Sequence, residues 1–137
     1  MQVQIKNLIN KVKRCAKEVY EALGSGFDEV VYQRAMEVGL RLAKIRYESQ
    51  KVVELKFKDH YVGEGFPDLI IRANGVKIVV EFKATGKVGG KEVVQLQSYM
   101  KVLKIPYGLL INFQSPGTDI AKDTKLEICE IGLTKRN

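Results

Sequence analysis

The sequence predicts an α/β fold, a mixed β-sheet flanked by helices in the order α-α-β-β-β-α-β, with a candidate last strand. Three observations predict it. Apolar residues recur at helical spacing through the first 45 positions and then switch to strict alternation at Val53. Asn74-Gly75 stands between two apolar runs, the strongest short-range signal for a two-residue hairpin. The second of those runs is followed by a helical stretch and another apolar run, Tyr107 to Phe113. A β-α-β passage of this kind needs a crossover helix and at least one parallel strand pair.

The first segment carries Ile5, Leu8, Ile9, Val12, Cys15, Ala16, Val19, Ala22 and Leu23 on one helical face and ends near Gly24. A second helix starts near Asp28, with acids in its first turn that suit the helix dipole. Its expected buried stripe is Val31, Ala35, Val38, Leu42 and Ile45, with Gly39 tolerated inside it. Val53, Leu55 and Phe57 alternate with charged residues as a half-exposed strand, and residues 59–65 read as a turn region. The Asn-Gly hairpin follows. A glycine-rich loop spans Thr85 to Gly90, and a third helix covers about Glu92 to Lys104, burying Val93, Leu96, Met100 and Leu103. Ser115-Pro116-Gly117 turns the chain, and Leu126 to Ile131 is the candidate final edge strand.

The chain of 137 residues suits one domain: a basic N-terminal helix over 1–24 and a core over 26–113. It is 45% hydrophobic and 28% charged, a balance that folds rather than remaining disordered. A net charge of +7 favours a polyanionic partner. In the first helix Lys6, Lys11, Lys13, Arg14 and Lys17 outnumber Glu18 and Glu21. Cys15 and Cys129 form no CxxC or Cys/His cluster, which argues against structural zinc, and reduced cysteines fit a cytoplasmic location. No apolar run reaches transmembrane length and the N-terminus is not a secretory signal, so no membrane partner is expected.

The chemistry is concentrated in the hairpin. With Asn74 and Gly75 as the turn, counting outward pairs Arg72 with Lys77, Ile70 with Val79, and Asp68 with Glu81. Alternation puts Lys83 on the face of Glu81. Directly opposed residues have Cβ atoms about 4.5–5.5 Å apart, and two carboxylates that close repel. A divalent cation held by hard oxygen ligands would compensate them.

Pro67-Asp68 with Glu81-Phe82-Lys83 resembles the P-D…E-x-K core of the PD-(D/E)XK nuclease superfamily, whose α-β-β-β-α-β order the chain shares. Gly26-Phe27-Asp28-Glu29-Val30-Val31-Tyr32 resembles the signature of its GxxExxY branch. Gln95-Leu96-Gln97-Ser98-Tyr99-Met100 and Gly108-Leu109-Leu110-Ile111-Asn112-Phe113 are similar to that branch's helix and strand motifs. The resemblance implies a restriction-endonuclease-like fold and a Mg²⁺- or Mn²⁺-dependent DNA nuclease, with RNA as a further substrate to consider. It implies metal ligation by Asp68, Glu81 and the Phe82 carbonyl, with Glu29 binding directly or through water. Lys83 would activate water or stabilise phosphate charge, and Gln95 would position either. Lys13, Arg14, Lys87, Lys91 and Tyr99 are candidate nucleic-acid contacts. Duplex cleavage needs two centres, which fits a homodimer.

Competing readings attach to the same residues. Asp68, Glu81 and Lys83 could be a solvated polar strip, Glu29 a helix-dipole acid, and Gln95 an exposed helix residue. His60 is expected in a surface turn and Tyr32 in packing rather than chemistry. The glycine loop lacks a G-K-S/T ending, which argues against a P-loop. Alternative functions are a Holliday junction resolvase, a non-catalytic nucleic-acid-binding module on the same fold, and a structural subunit.

Overall fold

The computed structural model describes residues 2–114 and 126–133. Helices α1 (Gln2–Leu23) and α2 (Glu29–Leu42) come first. Strands β1 (Arg46–Ser49), β2 (Val53–Phe57), β3 (His60–Gly65), β4 (Leu69–Ala73) and β5 (Val76–Lys83) follow. Helix α3 (Gly90–Leu103), β6 (Tyr107–Phe113) and β7 (Leu126–Gly132) complete the order. The main sheet has five strands in the order β1-β4-β5-β6-β7, and β2 and β3 form a separate two-stranded sheet. Within the main sheet β5 and β6 run parallel and the other neighbours antiparallel. This is an α/β fold of the restriction-endonuclease type, and its parallel pair is the β-α-β crossover through α3.

Alternation along the strands builds a core on each face of the sheet. Leu69, Ile71, Ile78, Val80, Phe82, Leu109, Ile111 and Phe113 face α1 and α2. Ile70, Val79 and Leu110 face α3, against Leu96, Met100 and Ile105. The central strands are therefore apolar on both sides, as sheets covered on both faces are. Residue Asn74 has φ 51° and Gly75 φ 80°, the left-handed pair a type I′ turn requires, and Ala73 faces Val76 as the turn dictates.

Several elements differ from the sequence expectation. Residues 60–65 are a strand, not a turn, so His60 opens β3 as an exposed strand residue. The turn before it is Lys58-Asp59, with φ of 48° and 65°; it takes the same left-handed conformation without a glycine to announce it. Strand β1 is absent from that expectation, because four residues, Arg-Tyr-Glu-Ser, are too few to show a period. Helix α3 begins at Gly90, ahead of Glu92, where the Glu92 carboxylate accepts the Gly89 backbone N–H at 3.0 Å. Leu126–Gly132 is the edge strand expected near Leu126 to Ile131, whereas the Ser115-Pro116-Gly117 turn lies outside the described residues.

The buried face of α2 is Tyr32, Met36 and Leu40 instead of Val31, Ala35, Val38 and Leu42. Both rows fit helical spacing, and the row with the larger side chains goes inward: Leu42 is 80% exposed and Leu40 is fully buried. Gly39 permits that orientation, since a Cβ there would lie 2.4 Å from the Cys15 sulfur on α1. The glycine is a packing requirement at the α1–α2 contact, not a tolerated flaw.

Gly39→Ala should therefore destabilise the protein by about 1–3 kcal/mol in chemical denaturation, despite alanine's better helix propensity. Adding Cys15→Ala, which vacates the contested space, should recover part of the loss. A Gly39→Ala protein more stable than wild type would show that the helices can separate freely.

Candidate active site

The site grows from the point where the β4–β5 ladder runs out. Backbone pairing is regular from Ala73↔Val76 to Leu69↔Val80. The next positions on β4's side are Asp68 and Pro67, and the same count sets them opposite Glu81 and Phe82. Proline has no N–H to give a ladder. Side chains supply the next rung instead. The Asp68 backbone N–H donates to Glu81 Oε1 at 2.9 Å, and the Phe82 backbone N–H donates to Asp68 Oδ2 at 2.8 Å. Each acid thus caps the strand carrying the other, which fixes both carboxylates at the mouth of the sheet.

Their electrostatics follow from this placement. Glu81 is only 6% exposed. Burial, then the neighbouring Asp68 charge, pushes its carboxyl up to about 8, against the pull of the Asp68 N–H and the Lys83 ammonium. Burial also raises Asp68, offset by the Phe82 N–H. The Glu29 charge raises both acids and Lys83 lowers both. In the free protein at neutral pH the pair therefore holds a proton. Its oxygens form a compact hard donor set of the kind a small divalent cation takes, keeping waters for the rest of its shell.

Lys83 is half-buried at the end of β5, on the face of Glu81, and pairs in register with Asn112 of β6. The fully buried Asn112 side chain fixes the next stretch of backbone. Its Oδ1 accepts the Thr85 N–H at 3.0 Å, and its Nδ2 donates to the Thr85 carbonyl at 3.1 Å and to Glu127 at 3.2 Å. Asn112 acts here as a length of backbone that pins the chain just past Lys83.

Glu29 is the first residue of α2, exposed, and near enough to act on both acids. Among the described residues no three acids, cysteines or histidines form a group that could hold a metal, so Glu29 does not close on Asp68 and Glu81. Two residues on its helix set its position. Tyr32, fully buried, stacks on Phe113 with centroids 4.4 Å apart, donates to the Gly24 carbonyl at 2.6 Å and accepts the Phe27 N–H at 3.3 Å. Gln33 donates to the Asp68 carbonyl at 3.4 Å. Sequence reading missed Gln33; its spacing of four from Glu29 was the available signal.

The remaining candidates lie at varying distance from this centre. Gln95 is exposed on α3 and has no hydrogen bond to Asp68, Glu81 or Lys83 among the described residues. Tyr99 packs on Gly65, where a Cβ would lie 2.3 Å from its ring, and its hydroxyl accepts the Phe66 N–H at 3.4 Å. It steadies the approach to Pro67-Asp68. Lys87 and Lys91 are exposed beside the start of α3. Lys13 is engaged by Glu130 of β7 at 2.5 Å, and Arg14 lines the α1–α2 groove with Gly39 and Ala43, apart from the acid pair.

The raised Glu81 carboxyl makes stability depend on pH with a defined sign. Between about 4.5 and about 8 the native chain keeps a proton that the unfolded chain has released. The stability contributed by this group is full below the lower value and is lost as pH rises through the upper one. Glu81→Gln, which mimics the protonated acid, should melt higher than the metal-free wild type at about pH 9 and close to it at about pH 5. Parallel melting curves for the two proteins across that range would remove Glu81 as the titrating group.

Residues 6–123 match the family model of the PD-(D/E)XK nuclease superfamily. No curated protein sequence matches the chain significantly. Among solved structures the chain is similar to the crystal structure of SSO0001, at 20% identity and a TM-score of 0.57. That likeness covers 79% of this chain and 52% of the other, so this chain spans about half the length of that one, and the likeness is one of fold. With the family match running through nearly the whole sequence, including Pro67-Asp68 and Glu81-Phe82-Lys83, the chain belongs to the PD-(D/E)XK nuclease superfamily.

Proposed function

We propose that the protein is a divalent-metal-dependent DNA nuclease of the GxxExxY branch, hydrolysing phosphodiester bonds at Asp68, Glu81 and Lys83. The observation that carries this reading is the reciprocal rung. The buried Glu81 carboxylate accepts the Asp68 N–H at 2.9 Å and the half-buried Asp68 carboxylate accepts the Phe82 N–H at 2.8 Å, with the Lys83 ammonium near enough to act on both. A purely structural strip would be solvated, whereas Glu81 is buried and charge-strained.

Asp68 and Glu81, with the Phe82 carbonyl, would hold Mg²⁺ or Mn²⁺. The bound ion would supply charge neutralisation on the phosphate and a more acidic water. Lys83 orients that water or takes up charge on the phosphate oxygens, on a strand end held by Asn112 and Thr85. Glu29, which does not join the pair in a three-acid cluster among the described residues, acts through the water shell. Gln95 and the exposed Lys87 and Lys91 flank the approach from α3 and steady the phosphate backbone. One centre cuts one strand, so duplex cleavage implies a homodimer or two successive encounters. The charge of +7 suits a polyanionic substrate.

The decisive test is incubation with supercoiled, linear, single-stranded and four-way-junction DNA, with and without Mg²⁺ or Mn²⁺. Glu81→Ala and Lys83→Ala should each lower cleavage by roughly 10²–10⁴-fold. Equal cleavage by wild type and both variants would remove the site assignment. Preference for the junction would make the protein a resolvase, and binding without cleavage under either metal would make it a binding module.

Metal should also stabilise the fold in a pH-dependent way. The ion must displace the proton held by the acid pair, so the rise in Tm on adding Mg²⁺ should be larger at about pH 8 than at about pH 6. Glu81→Ala should abolish it. A shift independent of pH and retained in Glu81→Ala would locate the ion elsewhere.

A further inference from the structure

The face of the sheet that carries the two acids also carries an opposed row of cations at its other end. Arg46, Arg72 and Lys77 are direct cross-strand partners on β1, β4 and β5. Paired residues share a face, and alternation puts Arg72 and Lys77 on the face of Asp68 and Glu81. Lys104, at the C-terminal end of α3, lines a depression of about 270 Å³ together with Lys77. A second depression, of about 290 Å³, lies on the other side of Lys77 and is lined by Arg46 and Arg72. All four cations are exposed.

Like charges directly opposite on a sheet are destabilising. Compensation here is thin: Glu48 binds Arg72 at 2.8 Å and is shared with Lys51 at 3.7 Å. Among the described residues Arg46, Lys77 and Lys104 have no ion pair. Three exposed positions in register would accommodate neutral side chains at lower cost, so the row is suited to an anionic ligand that bridges strands. Four residues of strand at roughly 3.3 Å each, about 13 Å, separate it from the acid pair, and α3 packs on Ile70 and Val79 between the two, so the row is a surface distinct from the acid pair.

We propose that Arg46, Arg72, Lys77 and Lys104 form a second phosphate-binding site, which grips the DNA backbone at the end of the sheet beyond α3, away from the bond being cut. The inference rests on the nuclease reading for its ligand. Arginine forks engage phosphate oxygens in pairs and lysine contributes a point charge, with no reading of bases. The site positions DNA and takes no part in the bond-breaking step.

The test uses Lys77→Glu and the double variant Arg46→Gln/Lys77→Gln, with a 20-base-pair duplex and no metal, so that binding is read without cleavage. Lys77→Glu gains an opposite charge across from Arg72 and should melt roughly 1–4 °C above wild type. It should nevertheless bind DNA at least 10-fold more weakly. The double variant should lower the slope of log affinity against log salt by about 2, one for each phosphate that the protein no longer neutralises. Wild-type affinity and salt slope in both variants would overturn the proposal, as would failure of the wild type to bind the duplex. Glu81→Gln separates the two readings: it should bind like wild type and not cleave. Unchanged metal-dependent cleavage by Glu81→Gln, beside weakened binding by Lys77→Glu, would sink the catalytic assignment and leave the phosphate site standing.

Discussion

Everything at the acidic end of the sheet depends on one exchange, in which two strands that can no longer pair by backbone pair by carboxylate. Proline at position 67 ends donation to the ladder, and Glu81 then takes the backbone N–H of Asp68 while Asp68 takes that of Phe82, the residue after Glu81. An orphaned buried N–H costs roughly 1–3 kcal/mol, so each acid supports the fold as well as the chemistry. The exchange also fixes geometry. A carboxylate bound through one oxygen to a rigid strand cannot swing away, which leaves its other oxygen for a ligand. The same contacts bring two negative groups together in a poorly solvated place, so electrostatic strain and positional order have a common origin. The proton retained by Glu81 is the free protein's way of relieving that strain.

The surroundings are arranged so that neighbouring elements cannot drift from this rung. Gln33 fastens α2 to the Asp68 carbonyl, while Tyr32 fastens α2 to the loop before it, at Gly24 and Phe27. The Tyr32 ring lies flat on Phe113, and Phe113 adjoins Asn112, whose amide holds Thr85. Glu29 at one edge and Lys83 at the other are thus tied to adjacent residues of β6. Tyr99 does the equivalent for the segment entering Pro67. These contacts are mostly side chain to backbone, which restricts the main chain directly and leaves the charged side chains free to meet a ligand.

How much of this was legible in the sequence depended on the range of the determining interaction. The β4–β5 register was readable because a two-residue turn sets it locally, and every later pair follows by counting. The crossover helix and its parallel strand were readable from order alone. Strand β3 was not, because Lys58 and Asp59 adopt left-handed φ without glycine and the strand carries little apolar alternation. The inward face of α2 was misread because two rows had the same period, and the choice between them rests on contact with α1 through Gly39. Gln33 and Asn112 were invisible as positioning residues since their partners are backbone groups 35 and 27 positions away. Local rules gave the two acids their opposition, while the surrounding supports needed the tertiary structure.

The two like-charge oppositions share the α3 face of the sheet, and that helix lies between them. Helix α3 runs from the Lys83 end, where Glu92 feels the Lys83 ammonium, to the Lys104 end, where Lys104 and Lys77 line one depression. Its positive pole therefore points toward the acids and its negative pole toward the cations. Each pole is worth typically about 0.3–1 kcal/mol to a charge within a turn of it, which moderates both repulsions and cancels neither. A sheet selected for stability alone would fill all these positions with uncharged residues, as it does at Ile70 and Val79 between them. Violations of local pairing rules concentrate where function requires them. Here they come in opposite signs at opposite ends of one strand pair, and that polarity suits the proposed ligand, itself a chain of anions: one phosphate would meet a metal held by the acids, and a more distant one, beyond α3, would meet the arginines and lysines directly.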